Sequence, residues 1–236
     1  MRSLRPLYSA DWTNRETELQ RLKIMKKDIK NLMFDLGGVI MDLRRSDCVE
    51  AFTGLGMLDA DSFFDEYCQQ GPFLQMEVGD ISPAEFRDAM REYFTKEVSD
   101  TELDAALAKF QVGIPIHRLY ELEKLKESYR IFLLSNTNPI AWHGKIASEF
   151  RKAGHDINYY FEGIVKSYEA RVAKPDKKIF DLSEKEFSIN PGKTLFIDDS
   201  PYNIAVAKEL GWQGVEVKPG SDSLVKIIED YITSQD

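Results

Sequence analysis

The chain is predicted to be an α/β protein, a doubly wound (Rossmann-like) parallel sheet with an inserted helical segment. Three observations predict it. Short β-rich apolar runs alternate with longer amphipathic stretches, the order that parallel strands and crossover helices require. The alternation breaks once, between residues 46 and 110, where apolar residues recur only at helical spacing. Polar residues with chemical potential cluster just after the apolar runs, the edge where open parallel sheets bind ligands.

The runs at 29–34, 130–134, 163–165, 194–197 and 214–217 are short and bounded by turn residues or charges, as buried parallel strands are. Between most of them lie amphipathic stretches at 117–128, 139–153, 176–187, 201–210 and 221–231, predicted as helices. In the insertion Phe63, Phe64 and Tyr67, then Phe86, Met90 and Phe94, follow a helical period with no convincing strand. The expected organisation is an extension at 1–28, a core made of 29–45 and 112–236, and the insertion at 46–111.

Composition narrows the function classes. With 236 residues, 43% apolar and 30% charged, the chain suffices for one sizeable core and a smaller unit. A net charge of -9 argues against nucleic acid, which is held by clustered Lys and Arg, and disfavours an anionic membrane surface. The first 30 residues are locally basic, which reads as a solvated arm. No apolar run approaches the roughly 18 residues of a span, and no secretory leader is evident, so the expected setting is the cytoplasm. Cys48 and Cys68 form neither a CxxC pair nor a disulfide framework and read as small buried side chains. His117, His143 and His155 are scattered and suggest no metal cluster.

The residues after the runs are Asp35, then Ser135 and Asn136, then Asp198 and Asp199, with Lys174 in the loop before the predicted helix at 176–187. Singly, each has a plain reading. An aspartate at a strand end caps turns, Ser and Asn bond their own backbone, and a loop lysine is solvated. Adjacent aspartates repel if both are buried and ionised, so Asp198 and Asp199 face either water or a cation.

Taken in order, FDLGGV, LLSNTN, AKPDKKIF and LFIDDSPYNI resemble the four motifs of the haloacid dehalogenase superfamily of phosphohydrolases. The resemblance covers the chain from about residue 29 onward and is most similar to the subgroup of bacterial sugar-1-phosphate phosphatases and the phosphatase domain of soluble epoxide hydrolases. It implies that the insertion is a helical cap and that Asp35 is the nucleophile of an aspartyl-phosphate mechanism. It implies Mg²⁺ held by Asp35, Asp199 and the Gly37 carbonyl, with Asp198 outside the coordination sphere orienting metal-bound water. Ser135 and Asn136 would donate to the phosphoryl group, Lys174 would neutralise it together with Asp35, and Gly38 would let backbone amides approach it. The implied partner is a small phosphate ester, handled by a monomer or weak homodimer.

Two departures matter. Most phosphatases of the superfamily carry a second aspartate two residues after the first, which protonates the leaving group; here that position is Gly37. Asp42, Glu77 or a metal-organised water are the candidate substitutes, against their plain readings as a turn residue and a solvated charge. Arg171 stands where many relatives have glycine, and Ala173 where a basic residue is common. Phe73, Met76, Trp142 and Tyr168 are candidate pocket residues, though such residues are core more often. Two other functions remain open: a catalytically weak binding or regulatory protein, and a metal-independent dehalogenase, whose relatives usually place an aromatic residue at the position of Gly37.

Overall fold

The structure is a computed structural model that describes residues 28–64, 70–221 and 223–234. The expected extension therefore lies outside the described residues except for Asp28, as do Tyr67 and Cys68. Five parallel strands form one sheet in the order β5-β4-β1-β6-β7: β1 (Asn31–Phe34), β4 (Arg130–Ser135), β5 (Gly163–Lys166), β6 (Thr194–Asp198) and β7 (Gln213–Glu216). Each matches a predicted run to within two residues at either end.

Alternation along the strands buries both faces. Leu32, Phe34, Leu133 and Ile197 enter one core cluster, while Met33, Phe132, Leu134 and Phe196 enter the other. The chain starts at the sheet centre with β1, runs outward through β4 and β5, and returns to β6 on the other flank of β1. The reversal of chain order lies at β1, where such sheets open a crevice at the carboxyl edge.

The flanking helices follow their sequence signals. Asp176 and Ser223 cap Lys177–Phe187 and Leu224–Thr233 with side-chain oxygens that accept a backbone N–H. The predicted helix at 139–153 is not uniform. It comprises Pro139–Ala141, a π-helical turn Trp142–Ile146, Ala147–Phe150 and a 3₁₀ turn Arg151–Ala153.

The insertion folds as Arg45–Gly54, Ala60–Phe63, Gly71–Glu77, Pro83–Arg91 and Asp100–Leu107, around a core of its own that includes Phe52, Phe64, Phe73, Met76, Phe86 and Met90. Ser82 with Glu85, and Ser99 with Glu102, form reciprocal capping boxes that start two of these helices. Cys48 sits fully buried in this core, and burial pushes its thiol up to about 12. At the two ends of the insertion the chain pairs with itself: β2 (Asp42–Leu43) and β3 (Gln111–Gly113) run antiparallel as a two-stranded ribbon. This ribbon is a correction to the expected strands, because its pairing joins segments almost seventy residues apart and leaves no local periodicity to read.

Candidate active site

The β1–β6 register sets Phe34 beside Ile197. The next residue on each strand is a carboxylate, Asp35 and Asp198, and the Asp35 N–H donates to Ile197 O at 2.9 Å. Lys174 reaches between them, donating from Nζ to Asp35 Oδ1 (2.7 Å) and Asp198 Oδ2 (2.8 Å). Its side chain is only 1% exposed. Asn136, after β4, fixes the lysine loop by a two-point clamp: Oδ1 accepts the Lys174 N–H (2.8 Å) and Nδ2 donates to Lys174 O (2.9 Å).

Asp35, Asp198 and Asp199 bring carboxylate oxygens within 4.8 Å of one another. Three carboxylates face one lysine, and the electrostatics record the imbalance. Burial raises Asp35 to about 6, with Lys174 opposing and Asp198 adding. Burial, then Asp35 and Asp198, raise Asp199 to about 7. Burial by itself would lower Lys174, but Asp198 and Asp35 outweigh it and hold the ammonium up to about 12. An all-oxygen cluster with surplus negative charge is the donor set that suits a hard divalent cation.

Around these groups opens a cleft of about 600 Å³ lined by Asp35, Gly37, Glu77, Lys174, Asp199 and Asn203, among others. A second cleft of about 500 Å³ adjoins it, sharing Gly37, Leu43, Glu77, Phe110 and Asn136 and adding Phe73, Ser135 and Asn138.

The family of haloacid dehalogenase-like hydrolases matches residues 29–211. The chain belongs to that family. Among its relatives is a D-ribitol-5-phosphate phosphatase of Bacteroides thetaiotaomicron, 37% identical over 194 residues that cover 82% of this chain and 94% of the relative. A solved enzyme of the family from the same organism, in complex with magnesium and inorganic phosphate, superposes with a TM-score of 0.81 at 42% identity, covering 84% of this chain and 98% of that one. A predicted HAD-like hydrolase from Porphyromonas gingivalis gives 0.79 at 32% identity, covering 86% and 97%. The fold is also shared with an L-2-haloacid dehalogenase of Xanthobacter autotrophicus at a TM-score of 0.56, but at 16% identity the likeness is one of fold alone.

Within this hydrolase, Asp35, Gly37, Lys174 and Asp199 share the first cleft, and Ser135 ends β4 beside it. The Ser135 hydroxyl donates to Asn136 O at 3.3 Å, long for an O–H···O bond and so readily exchanged. Four of the candidate residues have partners that the motif order does not show. Gly38 has φ +72, and a Cβ there would collide with the Asp199 carboxylate. Its N–H, however, donates to Met41 O at 2.9 Å, so this glycine makes room for a carboxylate and offers no amide to a phosphate. Asn136 spends both ends of its amide on the Lys174 backbone, leaving one Nδ2 hydrogen for anything else.

Asp198 is fully buried, and both its oxygens are engaged. Oδ1 accepts the Ser200 N–H (2.8 Å) and Asn203 Nδ2 (3.0 Å), while Oδ2 accepts Lys174 and Asn203. Its visible work is to hold Lys174, with no lone pair plainly left for a metal-bound water. Asp42 is ion-paired to the buried Arg118 at 2.6 Å, whose guanidinium also donates to Ile40 O and Ser221 O, so it is no available acid.

Of the four aromatic and methionine candidates, Phe73 lines a cleft while Met76 and Trp142 belong to cores. Tyr168 packs at the edge of the main core. The reading from sequence missed Asn203, Leu43 and Phe110. Asn203 had a signal, since it lies inside LFIDDSPYNI on the first turn of Pro201–Glu209, facing back to Asp198.

Proposed function

We propose that this hydrolase is a Mg²⁺-dependent phosphomonoesterase for small phosphorylated polyols or sugars, working through an aspartyl-phosphate on Asp35. The observation that carries the reading is Lys174 bridging Asp35 and Asp198 at the floor of a cleft whose rim includes Asp199. One buried cation beside several carboxylates leaves a site short of positive charge, where both a divalent metal and a phosphoryl group have partners.

The metal would be held by Asp35, Asp199 and the Gly37 carbonyl, and its Lewis acidity would neutralise charge on the phosphoryl oxygens. Asp35 attacks phosphorus through the carboxylate oxygen that Lys174 does not hold. Lys174 then stabilises the charge that grows on the transferring group, and the Ser135 hydroxyl turns toward it as a donor. Asp198 acts at one remove by fixing the lysine, and Asn136 by clamping the loop that carries it.

Residues 46–111 serve as a cap that supplies the far wall of the second cleft. That cleft sets Leu36, Phe73, Leu107 and Phe110 beside Glu77, Ser135 and Thr137, room for the short organic part of an ester whose phosphate lies at Asp35. The family's ribitol-phosphate and magnesium-bound members support this substrate class and this metal. Among the described residues no helix is long and apolar enough to cross a membrane.

Phosphate release measured across a panel of polyol, sugar and aryl phosphates, with Mg²⁺ and with chelator, tests the proposal. Turnover of at least one ester that vanishes with chelator is the expected result; no release from any ester, or release indifferent to chelator, contradicts it.

A further inference from the structure

The leaving alkoxide of a polyol phosphate needs a proton, and position 37 has no side chain to give one. We propose that Glu77, from the insertion, is the acid that protonates the leaving oxygen and the base that then activates water; this rests on the phosphatase reading above. Glu77 lines both clefts, facing Asp35, Lys174 and Asp199 in one and Phe73, Ser135 and Asn138 in the other. It therefore stands where the phosphate and the rest of the substrate meet. Among the described residues no hydrogen bond or ion pair engages its carboxyl, in contrast to Asp42, which Arg118 holds.

Its setting in the metal-free protein favours the neutral form. Glu77 ends the helix Gly71–Glu77, where the helix dipole disfavours a carboxylate. Burial first, and then Asp35, push its carboxyl up to about 8, with Lys174 opposing. The neutral acid is the form needed to meet a substrate.

The chain after Glu77 is fastened to the sheet side. Arg171 donates from Nη1 to Gly79 O (2.8 Å) and from Nη2 to Asp80 Oδ1 (3.1 Å). Gly79 has φ +70, and a Cβ there would strike Tyr168 O, so the two backbones lie in close contact. Arg171 itself sits at φ +56, a conformation that favours glycine. An arginine at such a conformation is explained by the reach of its side chain: Arg171, three residues before Lys174, latches residues 79–80 and so ties the end of the Glu77 helix to the loop that carries the lysine.

The cycle balances. As Asp35 attacks phosphorus, the P–O bond to the substrate breaks and the Glu77 proton passes to the departing oxygen, giving the alcohol, the aspartyl-phosphate and a Glu77 carboxylate. Water then attacks phosphorus, its proton goes to Glu77, and inorganic phosphate leaves with Asp35 restored as a carboxylate.

Glu77→Gln removes the proton and little else. Rates of phosphoenzyme formation should be compared for ribitol 5-phosphate, with a poor leaving group, and 4-nitrophenyl phosphate, which needs no acid. The parent should react with both. In Glu77→Gln the alkyl ester should slow by about 10²- to 10⁴-fold and the aryl ester by less than about tenfold. The retained aryl reaction also reports that the variant is folded. Arg171→Gly, which suits the backbone at 171 and deletes the latch, should shift the alkyl-to-aryl ratio in the same direction by a smaller factor.

An unchanged ratio in Glu77→Gln, or an equal loss on both esters, overturns the role of Glu77, and an unchanged ratio in Arg171→Gly overturns that of the latch. A parent already much slower on the alkyl ester, in the manner of an enzyme lacking an acid, also overturns the proposal. A parent inert toward both esters instead overturns the phosphatase reading itself.

Discussion

Ion pairs in the sheet and ion pairs in the insertion are built on opposite terms. Lys174, Asp35 and Asp198 have side chains 1%, 12% and 0% exposed and share one closed network. In the insertion Arg87 pairs with Asp104 and Arg91 with Asp88, side chains 19%, 35%, 36% and 77% exposed. Surface pairs of the second kind typically contribute about 0 to 1 kcal/mol. A buried network is costly to assemble and is strongly destabilised when one partner goes, by about 3–5 kcal/mol. A chain selected for stability alone gains little from the first arrangement, so its presence at the carboxyl edge of β1 and β6 points to chemistry. The insertion spends its charge on its own surface and places Glu77 at the cleft.

That contrast can be broken by substitution. Lys174→Met should destabilise the fold by about 3–5 kcal/mol and cut turnover by about 10²- to 10³-fold or more. Arg87→Met should cost about 1 kcal/mol and leave turnover within about twofold. Denaturant unfolding beside phosphate release decides it, and equal stability losses for the two variants would erase the distinction.

Gly38→Ala sharpens the comparison from within the sheet. The new methyl meets the Asp199 carboxylate at a positive φ, so activity should fall by about 10²-fold, in the range seen when one electrostatic group of a site is displaced. Raising Mg²⁺ should recover part of the loss if Asp199 is a ligand.

Protons and Mg²⁺ compete for the same carboxylates. Asp35 and Asp199, at about 6 and about 7, lie above the usual carboxylate value near 4. A raised carboxyl favours the folded state fully below about pH 4, and that stability is lost as pH rises through 6 and 7. The metal-free protein should therefore weaken over that range, and Mg²⁺ should restore it where the carboxylates are ionised. At a hundredfold excess over Kd the gain is about 2.7 kcal/mol, or roughly 5–10 °C in Tm for a chain of this size. Thermal melts should show this shift at pH 8 and much less at pH 5; a larger shift at pH 5 would put the cation elsewhere.

A small effect is also expected at Gly37. Its would-be Cβ meets Leu43 Cδ1 at 2.6 Å, the end of a movable side chain, so Gly37→Asp is tolerated. With Glu77 present the added acid should change ribitol 5-phosphate turnover by less than about tenfold, whereas in the Glu77→Gln background it should recover much of the loss. A large gain in the parent background would show that the insertion supplies no acid.

Much of the sheet and its edge was legible in the sequence because both signals are local. A parallel strand buried on two faces is a short apolar run, and the residue that follows it stands at the ligand edge, as Asp35, Ser135 and Asp199 do. What escaped depends on partners distant in the chain. That Asn136 clamps the Lys174 backbone, that Asp42 is taken by Arg118, and that the Gly38 amide is spent on Met41 are matters of geometry with no trace in spacing. The insertion was legible as helical from the period of Phe86 and Met90, yet its two-stranded ribbon and the facing of Glu77 toward Asp35 were not. The displacement of glycine by arginine at 171 was visible, and only the positive φ and the contact with Gly79 give it a meaning.

An aspartyl-phosphate mechanism requires that Asp35 carry the phosphoryl group. Rapid quenching of the parent with a phosphate-labelled aryl ester and Mg²⁺, followed by peptide mapping, tests it most directly. An acyl phosphate is expected on the peptide containing Asp35, formed within one turnover and absent from Asp35→Asn, which should also release no phosphate. Label on another residue, or an Asp35→Asn variant that turns over within about tenfold of the parent, would contradict it.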